Sequence, residues 1–199
     1  HAKLCLVIRK EEGGIRTYVH IGTGNYNPGS AKNYTDLGLL TADPAICSDV
    51  TDLFNVMTGY AKRDAYNRLL VSPTTLRRGL ERSIRAEIER HKREGNGRIV
   101  IKCNQLVDAA IIRLLYEASE AGVKVDCLVR GICCLKPGIP GVSENITVRA
   151  ILGKFLEHAR VYWFGPLEDT EKSFCYIGSA DLMGRNLDRR IEVLTPVLD

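Results

Sequence analysis

The sequence lacks most of the features that usually announce a function. No apolar run approaches the roughly 18 residues that a membrane-spanning helix needs. The most apolar helical stretch, 109–115, is interrupted by Arg113, so a soluble chain is expected. No Gly-x-x-x-x-Gly-Lys-Ser/Thr occurs, and Asn27 stands where a dinucleotide fingerprint starting at Gly22 needs its third glycine. Neither common nucleotide-binding loop is present. No Cys-x-x-Cys and no Cys/His zinc spacing appears, and seven cysteines, two of them adjacent at Cys133 and Cys134, do not make a disulfide framework. Cys5, Cys103, Cys127 and Cys175 lie in apolar, strand-like runs, where a free thiol behaves as a small hydrophobe. Reduced thiols and a cytoplasmic location are the expectation.

What is present is an ordinary folded composition. Of 199 residues, 45% are hydrophobic and 26% charged, which excludes a disordered or collagen-like chain. A chain of this size can bury about 70% of its unfolded surface. Lys+Arg 28 against Asp+Glu 24 leaves +4, compatible with anionic ligands but no nucleic-acid signature, and no nucleic-acid partner is expected.

Along the chain, residues 2–8 and 16–21 read as a strand pair joined by a turn at 11–14, with loop composition from Gly22 to Ser30. A strand is expected at 36–40 and a helix from Asp43-Pro44 to Met57. Ser72-Pro73 has the form of a helix cap followed by a first-turn proline. The helix it would open, running to Glu94, carries Leu76, Leu80, Ile84 and Ile88 on one face and charge elsewhere. Gly95-Asn96-Gly97 ends it. Then come a strand at 98–102, a helix at 107–121 stopped by Gly122, and a strand at 123–129. That order implies a parallel pair joined by a crossover. Further strands are expected at 161–164, 174–177 and 191–194. The fold class is therefore α/β, a mixed sheet flanked by helices, with a boundary near 69–72.

A faint internal repeat carries the chemistry. His1-Ala-Lys3 is echoed by His158-Ala-Arg160, an offset of 157 residues. Gly22-Thr-Gly-Asn25 starts 21 residues after His1, and Gly178-Ser-Ala-Asp181 starts 20 after His158. Tyr34-Thr-Asp36-Leu then matches Arg190-Ile-Glu192-Val, and Leu40-Thr41 matches Leu194-Thr195. So long a period indicates two similar lobes, not a solenoid. In each lobe a His-x-basic strand would face a small-residue loop whose backbone N–H groups can approach an anion. Two lobes face to face would place two imidazoles and two cations around one phosphoryl group. One imidazole would attack phosphorus and the other would trade a proton. Lys3 and Arg160 would offset charge on the equatorial oxygens.

Other residues have two readings each. His20, before the Gly-Thr-Gly-Asn loop, is a rival phosphate acceptor, whereas His91 reads as a solvated histidine on a charged helix. Lys102 and Asn104 precede a helix N-terminus, where either anion binding or simple capping by Asn104 would fit. Ser179 and Asp181 could contact phosphate or shape their turn. Arg189 and Arg190 read as surface charge or, through the repeat, as part of the site.

The duplicated His-x-Lys/Arg followed by Gly-x-x-Asn/Asp resembles the phospholipase D superfamily. The superfamily's usual aspartate a few residues past the lysine is absent from Leu6-Val-Ile-Arg-Lys10. The longer strings HAKLCLVIRK, HIGTGNYN, YTDLGLLTAD, NQLVD, LVRGICCL, FLEHARVYWF and GSADLMGRNLDRRIEVLTPVLD resemble bacterial polyphosphate kinases of the histidine-intermediate type, over the whole chain. The resemblance implies a phospholipase D-like fold with residues 1–70 the end of a truncated first catalytic lobe and 71–199 a nearly complete second lobe. It implies reversible transfer of the ATP γ-phosphate to inorganic polyphosphate through a phosphohistidine. His1 matches the histidine that is phosphorylated and His158 the second active-site histidine. Tyr34 and Arg130 match positions that contact the nucleotide. Lys3 and Arg160, found from the repeat, stand with His1 and His158 as catalytic residues, and His158, Asn25, Ser179 and Asp181 join Tyr34 and Arg130 as nucleotide- or phosphate-binding candidates. Magnesium is implied as cofactor, with ligands upstream of His1 and none in this chain. ATP, ADP and polyphosphate are the implied partners, with a homo-oligomeric, peripherally membrane-associated full-length enzyme. A phospholipase D-like phosphodiesterase or phosphatidyltransferase using the same histidines is the rival. The chain alone is expected to be inactive, since its first lobe would begin at the catalytic strand.

Overall fold

Alternation builds the first sheet. β1 (Lys3–Glu11) and β2 (Gly14–Gly22) pair antiparallel from Lys3↔Gly22 to Glu11↔Gly14. Gly14 turns the chain at φ 114°, a conformation that disfavours any residue with a Cβ. The computed structural model describes residues 1–198. After β2 come a single helical turn, α1 (Pro28–Ala31), and the short strands β3 (Tyr34–Thr35) and β4 (Gly38–Thr41). β4 completes a three-stranded sheet in the order β1-β2-β4. α2 (Pro44–Met57) lies against it. Asp43 caps this helix by accepting the Ile46 N–H at 2.8 Å, and Pro44 occupies the first turn, where no N–H is required. Ile46, Val50 and Leu53 fall on one helical face and bury against Val19 and Ile21.

Asp49 on that helix is 1% exposed, and its carboxylate accepts four N–H groups. These are the amides of Asn67, Arg68 and Leu69 and the Asn67 side chain, at 2.6–3.0 Å. It ties the 58–69 connection to α2. Asp49→Ala strands these donors and is expected to lower stability by about 2–4 kcal/mol, read as a fall in the urea midpoint. A loss below about 0.5 kcal/mol would contradict this account.

The second part of the chain follows as β5 (Leu70–Ser72), α3 (Leu76–Glu94), β6 (Arg98–Cys103), α4 (Ala109–Glu120), β7 (Lys124–Val129) and β8 (Ile146–Arg149). It continues with β9 (Leu156–Glu157), β10 (Val161–Phe164), a 3-10 turn at Thr170–Lys172, β11 (Phe174–Gly178), α5 (Gly184–Asp188) and β12 (Glu192–Pro196). Seven of these strands form a mixed sheet, β5-β12-β11-β10-β6-β7-β8, in which β6, β7 and β8 run parallel. Helices α3 and α4 cover its core face. Leu76, Leu80, Ile84 and Ile88 recur every four residues and meet Ile111, Leu115, Ile99, Ile101, Tyr162 and Phe164. The α/β class and the mixed sheet flanked by helices are as expected from the sequence. Among the described residues no helix is long and apolar enough to cross a membrane.

Three local expectations are corrected. Ser72 is not a helix cap: it ends β5, pairs with Glu192, and α3 begins at Leu76 after Thr75. Leu70 and Val71 are buried, so sheet pairing overrides the local capping signal. The backbone of the 22–30 segment is not wholly loop, since Pro28–Ala31 forms α1, with Asn27 accepting the Ser30 N–H at 3.0 Å. His91 is only half solvated, its ring lying near Gly122 and its Cβ near Gly97. Pairing of β3 with β9, parallel at Tyr34↔Leu156 and Thr35↔Glu157, had no sequence signal, yet it brings segments 122 residues apart together at the site.

Candidate active site

The two sheets repeat one another row by row. Leu4–Ile21–Leu39 stand in register across β1, β2 and β4, and Val161–Ile177–Thr195 across β10, β11 and β12. The counterparts of Leu194 and Thr195 are therefore Gly38 and Leu39, and the expected match to Leu40 and Thr41 is two residues out of register. The His-x-basic segments occupy matching places at the starts of β1 and β10, and the Gly-Thr and Gly-Ser segments matching places at the ends of β2 and β11.

Each imidazole is held by a carboxylate from the other half. His1 Nδ1 lies 3.0 Å from Glu192 Oε2 and 2.9 Å from Oε1, and His158 Nδ1 lies 2.8 Å from Asp36 Oδ1. In both cases a hydroxyl of the small-residue segment also donates to the carboxylate: Ser179 Oγ to Glu192, and Thr23 Oγ1 to Asp36 Oδ1 at 2.6 Å. Asn186 adds a side-chain N–H to Glu192. A carboxylate on Nδ1 fixes the tautomer with hydrogen there, so the lone pair of each ring sits on Nε2. Gly24 has to lack a side chain, because a methyl group there would collide with the Asp36 carboxylate.

The cations are buried behind the rings. Arg160, 3% exposed, forks onto Asp181, with Nε to Oδ1 at 3.2 Å and Nη2 to Oδ2 at 3.0 Å. Its Nη1 donates to the carbonyls of His158 at 2.8 Å and Thr23 at 3.3 Å, and lies 3.1 Å from His158 Nε2. Lys3, 4% exposed, donates to the His1 carbonyl. Burial, joined by repulsion from Arg160, brings the Lys3 ammonium down to about 8, partly opposed by Glu192, Asp36 and Asp181. Burial and the adjacent Arg160 likewise lower the His158 imidazole, against the pull of Asp36, which favours its neutral form. Burial pushes the Glu192 carboxyl up, while hydrogen bonds from Ser179 and Asn186 favour its ionised form.

The small-residue loops do not offer their first amides to an anion. Thr23 N–H donates to Leu37 O at 2.9 Å and Ser179 N–H to Val193 O at 3.0 Å. Their hydroxyls orient carboxylates instead. Asp181 accepts from Arg160 and from the Asn104 amide at 2.7 Å. Asn104 is not a helix cap. Asp108 caps α4, accepting the Ile111 N–H at 3.0 Å, whereas Asn104 Oδ1 accepts Arg130 Nε at 3.1 Å. Lys102 is engaged by Glu157 at 3.0 Å and Ala159 O at 3.2 Å.

Tyr34 packs its ring 5.0 Å from that of His158 and lines a cavity of about 550 Å³ with Arg130, Ile151, Leu152, Lys154 and Phe155. Among the described residues the one side-chain hydrogen bond of Arg130 is through Nε, and the residue lines this cavity. Asn25 is exposed and lines a smaller cavity, about 310 Å³, with Tyr26, Tyr34 and Asp36. His20 stands in that cavity, Nδ1 bonded to the Tyr26 hydroxyl at 2.7 Å. Arg189 and Arg190 are exposed on the connector after α5. Thus His1, Lys3, His158, Arg160, Ser179 and Asp181 form one centre, Tyr34 and Arg130 a cavity beside it, and Asn25 an outer wall. Sequence reasoning gave no role to Asp36, Glu192, Thr23 or Asn186. Equivalent positions of the repeat already held Asp36 and Glu192, a signal that could have identified them.

Comparison with known proteins identifies the family of this chain. The family model "Polyphosphate kinase C-terminal domain 1" matches residues 1–63, and "Polyphosphate kinase C-terminal domain 2" matches 69–199. A polyphosphate kinase of Prochlorococcus marinus (strain MIT 9313) is 56% identical over 198 residues, covering 99% of this chain and 27% of that protein. One of Streptomyces coelicolor (strain ATCC BAA-471 / A3(2) / M145) is 53% identical over 199 residues, 100% of this chain and 26% of that protein. The crystal structure of polyphosphate kinase from Porphyromonas gingivalis superposes with a TM-score of 0.91 at 40% identity, over 100% of this chain and 30% of that one. The chain therefore spans about a quarter of the length of the curated relatives it matches, 27% and 26% for the two just given. With its duplicated histidine sheets matched from end to end, the chain belongs to the polyphosphate kinase family.

Proposed function

We propose that this chain carries the phosphoryl-transfer centre of an enzyme that moves the γ-phosphate of ATP reversibly to inorganic polyphosphate, with His1 as the intermediate carrier. One observation carries the assignment of roles. Both imidazoles have Nδ1 tied to a carboxylate, but Arg160 stands on His158 Nε2, while among the described residues no hydrogen bond reaches His1 Nε2. The His1 ring is also the more open, 30% exposed against 11% for His158. The free lone pair belongs to His1.

In the forward direction, His1 Nε2 attacks the γ-phosphorus and the bond to the β,γ-bridging oxygen breaks, releasing ADP. As His1 becomes positively charged, Glu192 on Nδ1 stabilises it. In the second step a terminal oxygen of polyphosphate attacks the same phosphorus, the P–N bond breaks, and the electron pair returns to Nε2. His158, oriented by Asp36, takes or returns the proton of the entering or leaving oxygen through Nε2 once Arg160 Nη1 gives up its contact there. Lys3 and Arg160 supply positive charge behind the transferring group. Tyr34 and Arg130 line the space for the nucleotide, with guanidinium N–H groups for its phosphates and apolar side chains for its base. Asn25, Ser179 and Asp181 belong to the surroundings of the phosphates, Ser179 and Asp181 by holding Glu192 and Arg160 in place. Among the described residues no group of three or more His, Cys, Asp or Glu converges, and no residue of this chain is assigned to the magnesium expected with the nucleotide.

The test is a chase. The full-length protein incubated with γ-labelled ATP should hold acid-labile label that passes to polyphosphate on addition. Stable absence of bound label, or cleavage of a model phosphodiester without ATP, overturns the reading.

A pH dependence follows from Lys3. The ammonium is needed in its charged form, and it loses its proton near pH 8, so the transfer rate should fall as pH rises through that value. Lys3→Arg should move this alkaline limb to higher pH, because a guanidinium keeps its charge there. An unmoved limb would take Lys3 out of the charge-stabilising role.

A further inference from the structure

We propose that α5 and the connector following it hold the phosphate chain of polyphosphate, through Arg185 on the helix and Arg189 and Arg190 just after it. This rests on the functional reading above and assigns the acceptor a place that the nucleotide cavity does not provide.

The first observation is electrostatic. Arg185, Arg189 and Arg190 are all exposed, and among the described residues none has a carboxylate within 4.0 Å or a side-chain hydrogen bond. Nearby carboxylates are engaged elsewhere: Asp188 is bound by Arg77 at 2.6–2.7 Å, and Glu192 is fully buried on His1, Ser179 and Asn186. Three unneutralised guanidinium groups within six residues form a strongly positive surface.

The second observation is positional. Arg190 N–H donates to Arg185 O at 2.9 Å, tying the connector back to α5, and the next residue, Ile191, accepts the Ala2 N–H at 3.0 Å. The arginine segment is thereby joined directly to the strand entry that carries His1.

The third comes from the repeat. Tyr34 precedes Asp36 by two residues, and Arg190 precedes Glu192 by two. On the His158 side that position holds an aromatic ring beside an apolar-walled cavity, which suits a base and ribose. On the His1 side it holds an arginine in an open, cationic surface. Such a surface suits a flexible polyanion with no base, and guanidinium groups bind phosphate oxygens in paired geometry. The reacting phosphate of either substrate occupies the same place beside His1. What differs is where the remainder lies: the nucleoside in the Tyr34–Arg130 cavity, and the further phosphates of the chain along the arginines.

The experiment compares the full-length protein with the triple variant Arg185→Gln, Arg189→Gln, Arg190→Gln. Binding of fluorescently labelled long-chain polyphosphate is followed by anisotropy, and KM is measured for polyphosphate and for ADP. Arg82→Gln, an exposed arginine on the far helix α3, controls for charge loss alone. The expected result is a polyphosphate Kd and KM raised about tenfold or more, a weaker salt dependence, and an ADP KM within about twofold. Arg82→Gln should change neither by more than about twofold. A polyphosphate Kd within about twofold of the parent, or ADP and polyphosphate constants rising together, overturns the proposal. The two readings fail separately. A parent that binds polyphosphate through these arginines but never carries labelled phosphate keeps the subsite and loses the transfer mechanism. A labelled parent whose polyphosphate binding ignores the arginines does the reverse.

Discussion

Replacing His1 by alanine should abolish protein-bound phosphate and lower ATP-to-polyphosphate transfer by about 10⁴-fold or more, because the proposed covalent carrier is removed. Replacing His158 should cost less, about 10²–10⁴-fold, the usual range for a lost general acid or base. His158→Ala should also retain slow labelling, since His1 Nε2 remains. This asymmetry follows from Arg160, which covers the His158 lone pair, and not from the histidines' sequence contexts, which are nearly identical. Quenching labelled protein under mild base and counting bound phosphate separates the cases. Label that persists in His1→Ala would transfer the carrier role to His20, whose ring is held by Tyr26 in the neighbouring cavity. Equal loss of label in both variants would remove the distinction drawn between the two rings.

The second large effect concerns stability. Arg160 and Asp181 form a forked ion pair whose side chains are 4% and 10% exposed, with Asn104, His158 and Thr23 completing the bonding. Removing one partner leaves the other charge buried and unmatched, so Arg160→Ala should destabilise by about 3–5 kcal/mol. Against a total of about 5–15 kcal/mol for a typical domain, that places the variant close to unfolding. Denaturant unfolding gives the number. Arg160→Met combined with Asp181→Leu should recover much of the stability, because neither charge is then buried, while activity stays lost. A loss below about 1 kcal/mol for Arg160→Ala would mean that water reaches the pair and that its burial is not what sets its strength.

Much of the architecture was legible because it is local. The stripe Leu76, Leu80, Ile84 and Ile88 can be read only as one buried helix face, and alternation in β6 and β7 follows from a two-residue period. Ser72-Pro73 shows where local reading fails. Its capping chemistry is sound, but the gain from pairing Leu70–Ser72 with Glu192–Leu194 at the sheet edge is long-range and invisible in the local pattern. β8, β3 and β9 were missed for the same reason, being two to four residues long and defined by partners far away.

The candidate site divides along the same line. By itself the sequence determined that two equivalent His-x-basic and small-residue segments exist, and that they are chemically suited to phosphoryl transfer. Those facts need only residue type and spacing. Tyr34 and Arg130 were reached only through family resemblance, since no physical pattern in the chain marks them. The tertiary structure alone decided that the carboxylates are exchanged between the halves, Glu192 to His1 and Asp36 to His158, across 191 and 122 residues of chain. It also decided that Arg160 covers one imidazole lone pair and leaves the other open. Hydrogen bonds act over about 3 Å, and only the folded packing of the two sheets brings such distant groups within that reach.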